Sequence, residues 1–211
     1  MDLGISLEDE KIVFDCISKL LEDEQFQLEM TDPKLQAAIE GQPACDRDPE
    51  GTGSFGFVET NPIPVNGWVG ELAYLSKLET VRGERIFFHR LGSIHTTDVF
   101  EAVTFSGSEW FILFVDMYYP RQSRLTPDGF RFRKKVSKFT GFHDRCSNFP
   151  YGFIEKQRKE AEKQFELKQY LFLGYLARDI VSKQLEGRMF ERPPAHKAKL
   201  ALLKLTFVVL G

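Results

Sequence analysis

Trp110–Tyr119, WFILFVDMYY, decides how the rest of the chain is read. A strand with one wet face alternates apolar and polar residues with a period of two. Here both parities are apolar from Trp110 to Val115, and the run breaks only at Asp116. Aromatic and β-branched residues dominate, and turn residues bound the run at Ser106-Gly107-Ser108-Glu109 and at Pro120. This pattern predicts an interior strand covered on both sides.

Upstream, Val99–Phe105 joins this strand across the 106–109 turn as a hairpin. Arg85–Leu91 (RIFFHRL) reads as another strand after an Arg82-Gly83 turn. Leu72–Leu78 is ambiguous between strand and helix. Phe57-Val58 opens an extended region, and Pro62 and Pro64 hold their predecessors extended before the Asn66-Gly67 turn. Downstream, Pro127-Asp128-Gly129 makes a turn into a further strand, Phe130–Val136.

The flanks read as helical. Ser6 caps a helix through Leu21, with Glu8, Asp9 and Glu10 in its first turn. Asp32-Pro33 opens a short helix through Ile39 that Gly41 ends. A long helix is expected over about Gly152–Leu185, and Pro193-Pro194 precedes a last apolar segment, Leu200–Leu210. The expected fold is α+β: a mostly antiparallel sheet (about residues 57–136) packed by N-terminal helices and a long C-terminal helix. The whole chain, 1–211, is expected to form one globular domain with an acidic helical part over 1–50 and a helical part over 150–211.

Composition supports a packed core: 42% of the 211 residues are hydrophobic and 20 are Phe. The formal net charge is −3 but unevenly spread. Residues 1–59 carry 15 acidic and 4 basic side chains, a balance of −11, whereas 121–145 carries 8 basic and 2 acidic ones, a balance of +6. The two regions either face each other or are solvated; the sharper reading is an anion site on the basic segment. A pI near 5.9 speaks against nucleic acid as the main partner. Cys16, Cys45 and Cys146 have neither zinc nor disulfide spacing and fit reduced thiols. No apolar leader core and no stretch of about 18 uncharged apolar residues is present, so a cytoplasmic protein with no membrane span is expected.

Gly51-Thr-Gly-Ser-Phe-Gly56-Phe-Val58 matches the glycine-rich loop of protein kinases, G-x-G-x-x-G-x-V. The accompanying machinery is missing: prolines stand where the lysine strand belongs, and His89-Arg90 is followed by Leu91 rather than Asp. A plain loop is the expectation. His89 is the candidate acid–base, although a core histidine is its expected role. Cys146, beside His143, Asp144 and Arg145, is the candidate nucleophile. Arg121 and Arg124, following Tyr118-Tyr119 at a strand end, are candidates for binding a phosphate or carboxylate. Asp116 interrupts an apolar strand and needs a partner, for which Arg90 is the candidate ion pair. No histidine or carboxylate cluster shows metal spacing, so neither metal nor cofactor is expected.

NPIPVNG (61–67), GELAYLSKL (70–78), FHRLGS (88–93) and DMYYPRQSR (116–124) together resemble stretches of small uncharacterised bacterial proteins. The likeness covers about residues 55–130 and implies that this block is one structural unit. It carries no activity, ligand or site residue with it. Two functions from different classes follow from the residues. The preferred one is a non-enzymatic binding or adaptor module that holds a protein partner, or a second copy of itself, through the acidic N-terminal region or the apolar C-terminal segments. The alternative is a small-molecule hydrolase or transferase acting on an anionic substrate, with Arg121 and Arg124 as clamp and His89 as acid–base.

Overall fold

Trp110–Asp116 forms β5 and is bonded on both edges, antiparallel to β4 (Thr97–Thr104) and parallel to the two-residue β1 (Ile63–Pro64). β4 pairs antiparallel with β3 (Ile86–Ile94), and β3 pairs parallel with β7 (Gly141–Phe142). The order of this five-stranded sheet is β1-β5-β4-β3-β7. Its interior pairs are antiparallel, as the hairpins dictate, and both its edges are parallel. A separate ladder joins β2 (Leu78–Thr80) antiparallel to β6 (Phe130–Phe132). The structure is a computed structural model that describes residues 15, 17–136, 139–151 and 188–210. The helix expected over about 152–185, and residues 6–14 of the first expected helix, lie outside the described residues.

Register divides the sheet's side chains between two faces. Phe88, Phe100, Ala102, Leu113 and Val115 point to one face and pack on Tyr74 and Leu75. Phe87 and Val103 point the other way, into a cluster with Phe105, Cys146, Phe149 and Phe190. Val99, Ile112 and Phe114 share that second face and pack on Leu203 of helix α4 (Pro194–Leu210). β5 is thus buried on both sides, as its double-parity apolar run requires.

Within the segment expected to be mostly sheet, the stretch ambiguous between strand and helix, Leu72–Leu78, falls almost wholly in a helix. Gly67–Lys77 forms α3, which follows α1 (Glu24–Glu29) and α2 (Pro33–Ile39). α3 covers the first face of the sheet through Tyr74 and Leu75 while Val69 and Ala73, on its outer side, pack on Ile17, Leu20 and Leu21. The N-terminal helices therefore lie one layer out, on α3. Because α3 is buried on both sides, it lacks the polar stripe by which an amphipathic helix is recognised. Phe57-Val58 lies in turns rather than a strand, and the strand expected over Phe130–Val136 spans only Phe130–Phe132.

α2 starts as its sequence dictates. The Asp32 carboxylate accepts from Lys34 N at 2.8 Å and Leu35 N at 3.1 Å, and Pro33 occupies the first helical turn. Asp32→Ala should cost about 1 kcal/mol. Urea unfolding should register this as a lower midpoint with an unchanged slope.

The glycine loop is a backbone knot rather than a phosphate cradle. Gly51 N donates to Asp48 O, Thr52 N to Thr60 O, Gly56 N to Asn61 O and Phe57 N to Ser54 O. The N–H groups of Gly51, Thr52, Gly56 and Phe57 are thereby committed to carbonyls. Gly56 sits at φ +74° against Ile63 and Pro127, where a side chain would be both strained and crowded.

Candidate functional site

Glu101, in the middle of β4, is 1% exposed and accepts four hydrogen bonds. His89 Nε2 donates from the neighbouring strand at 2.9 Å, His196 Nε2 from α4 at 2.9 Å, and Arg192 donates through Nε at 2.6 Å and through a terminal nitrogen at 2.9 Å. Burial alone would raise the Glu101 carboxyl, but the bonds from Arg192, His196 and His89 hold it well below the usual carboxylate range. The Cys146 backbone N–H donates to His89 Nδ1 at 2.9 Å, which places the imidazole proton on Nε2. The His89 ring stacks on Phe149 at 4.2 Å, and the Arg192 guanidinium lies 4.8 Å over Trp110. His89 is thus oriented at both nitrogens by the protein itself. The chemical work of this cluster is to fasten the start of α4 to the sheet.

A second polar cluster lies on the opposite face. Glu71 comes from α3, Asp98 from β4 and His143 from the residue after β7. His143 Nδ1 is 2.7 Å from Glu71 Oε2, no N–H or hydroxyl donor of the described residues reaches either Glu71 oxygen, and the hydrogen-bonding neighbour of the Glu71 carboxyl is the Asp98 carboxyl. Asp98 receives Arg90 Nε at 2.7 Å and an Arg90 terminal nitrogen at 2.8 Å, and Ser93 Oγ also accepts from Arg90. Burial, reinforced by the Asp98 charge, raises the Glu71 carboxyl well above the usual range, and burial lowers the His143 imidazole. These are the described side chains whose donor set suits a metal ion.

The expected Arg90–Asp116 pair is not formed. Arg90 stands opposite Phe100 and Asp116 opposite Thr97, and these two β4 positions differ by an odd number of residues. The two side chains therefore leave opposite faces of the sheet. Asp116 instead accepts from Tyr118 N at 3.0 Å and from Thr96 Oγ1 at 3.4 Å.

The anion held by the Arg121–Arg124 segment is Asp46 of the same chain. Asp46 Oδ1 accepts from an Arg121 guanidinium nitrogen at 2.6 Å and from Arg124 N at 2.9 Å, while Ser123 Oγ donates to Asp46 O at 2.6 Å. The hydrogen bond from Arg121 lowers the Asp46 carboxyl. So at this point the acidic and basic halves do face each other. Arg124 contributes its backbone, with its side chain on the exposed surface. His89 is committed to Glu101 and Arg121 to Asp46, so the fold does not gather the acid–base and clamp candidates at one centre. Cys146 is 4% exposed in the Phe-rich second-face cluster, and its backbone N–H engages His89.

α4 has two apolar faces. Leu200, Leu203 and Phe207 turn toward the sheet. Ala198, Ala201, Leu202 and Leu205 recur at helical spacing on the outside, with Leu202 66% and Leu205 65% exposed. The helix carries Lys197, Lys199 and Lys204 and no acidic residue. At 100° per residue, Lys197 and Lys204 fall on one edge of the outer stripe and Lys199 on the other. Comparison with protein family models, with curated proteins and with solved structures finds no match to this chain. Among the described residues no helix is long and apolar enough to cross a membrane.

Proposed function

We propose that this chain is a non-enzymatic binding module that offers the outer face of α4 to an apolar, acid-flanked segment of a protein partner. The observation that carries this reading is the exposed stripe of Ala198, Ala201, Leu202 and Leu205 between lysines on both edges. Exposed apolar side chains in a row favour a partner that removes them from water, and the lysines favour one whose own apolar stripe is bordered by carboxylates. The Glu101 cluster supports the same reading. It fixes the start of α4 to the sheet with charge-assisted bonds, so the helix is held as a rigid platform before any partner arrives.

The test uses a labelled amphipathic helical peptide of Leu and Glu, its Leu and Lys counterpart, and vesicles of anionic phospholipid. The full chain should bind the acidic peptide in a fluorescence anisotropy titration and leave the basic one unbound. The variant Leu202→Glu/Leu205→Glu should bind it at least about tenfold more weakly while melting within a few degrees of the wild type. Equal affinity for both peptides, equal binding by the variant, or binding to vesicles alone would refute the reading.

A further inference from the structure

We propose that Glu71, Asp98 and His143 form a site for one first-row divalent cation. This inference is independent of the α4 surface. Three elements that are distant in sequence bring one ligand atom each to within 4.8 Å of the others. Two carboxylate oxygens and an imidazole nitrogen make a donor set that suits Zn2+ or Mn2+. Ca2+, which takes six to eight oxygens, suits it less well.

The decisive observation is the state of Glu71. Its side chain is fully buried, no N–H or hydroxyl donor of the described residues reaches either carboxyl oxygen, and its hydrogen-bonding neighbour is a second carboxyl group, that of Asp98. Buried carboxylates are kept in folded proteins by partners, and two carboxyl groups that face each other favour a cation between them. His143 Nδ1 approaches Oε2 to 2.7 Å but stands outside hydrogen-bond geometry. These two atoms and an Asp98 oxygen lie close enough together to be ligands of one ion.

The surroundings fit the same assignment. Arg90 holds both Asp98 oxygens at 2.7 and 2.8 Å, taking one lone pair from each and leaving the others available. A ligating carboxylate oriented by an outer hydrogen-bond partner is the usual construction of a metal site. The His143 side chain is 27% exposed although its Nδ1 is buried, so solvent reaches the edge of the cluster. The Trp68 ring lies 6.0 Å from the His143 ring and reports on events there.

Zn2+ and Mn2+ should each be titrated by calorimetry into the metal-stripped full chain and into Glu71→Gln and His143→Gln. The wild type should bind one equivalent of at least one of the two ions. Each variant should weaken that binding at least about thirtyfold, because each loses a ligand. Glu71→Gln keeps the shape of the side chain, so its metal-free melting temperature should equal or exceed the wild type's. The ion should raise the melting temperature of the wild type alone. Should Glu71→Gln fail to fold, the partly exposed His143→Gln decides. Absence of one-equivalent binding to the wild type overturns the site. Binding that survives undiminished in a folded variant does so too, since the ion is then held elsewhere.

Discussion

Glu101→Gln should destabilise the folded chain by about 3–5 kcal/mol and loosen α4 from the sheet. The carboxylate accepts from His89, His196 and twice from Arg192, and it is 1% exposed. An amide has one acceptor oxygen, and its NH2 group would meet donors on every side. Removing the charge also leaves the Arg192 guanidinium without its counter-ion beside Trp110. Urea unfolding gives the loss in free energy, and amide exchange along α4 gives the loosening. A loss below about 1 kcal/mol with unchanged exchange would mean that the network does not dock the helix. The pH dependence adds a second check. The folded Glu101 carboxyl lies well below its usual range, so its contribution is complete above the unfolded value of about 4.3. It is lost as pH falls from there toward the folded value. The gap in stability between wild type and Glu101→Gln should therefore be widest near neutrality and narrow below about pH 4.

The parts of this fold that were legible in the sequence are those where local chemistry acts alone. The Asp32-Pro33 start of α2, the 106–109 hairpin and the Pro127-Asp128-Gly129 turn all form where their residues require them. The interior position of β5 followed from its two apolar parities. What was not legible depends on layers meeting. α3 was ambiguous because helices on its outer side and the sheet on its inner side bury Val69, Gly70, Glu71, Ala73, Tyr74 and Leu75 alike. Arg90 was assigned Asp116 because both interrupt apolar strands, but the ladder register that sets their faces is not written in either strand. Glu101 left a readable signal, an acid inside VFEAVTF, yet its partners come from β3 and from residues 192 and 196. Glu71, Asp98 and His143 show no metal spacing because the site, like most catalytic sets, is assembled from separate elements.

Gly141→Ala should be nearly as damaging, for a steric reason. β7 lies beside β3 with Gly141 opposite Phe88, and a Cβ at Gly141 would fall inside 3.0 Å of three ring carbons of Phe88. The ring has no room to retreat: Phe88 is fully buried and meets Phe100 edge-on at 6.0 Å. Overpacking of this kind costs about 1–3 kcal/mol, and the cheapest relief is for β7 to leave the sheet edge. That matters beyond the strand, because the segment starting at Gly141 serves both polar clusters. His143 reaches Glu71 on one face, and the Cys146 N–H reaches His89 on the other. A displaced β7 should therefore disturb the proposed cation site and the seat of α4 together. Phe88→Leu alone should cost about 1 kcal/mol, and in the double variant it should return part of what Gly141→Ala removes, giving a coupling of at least about 0.5 kcal/mol. Strict additivity of the two losses in urea unfolding would show that the clash with Phe88 is not what reserves this position for glycine.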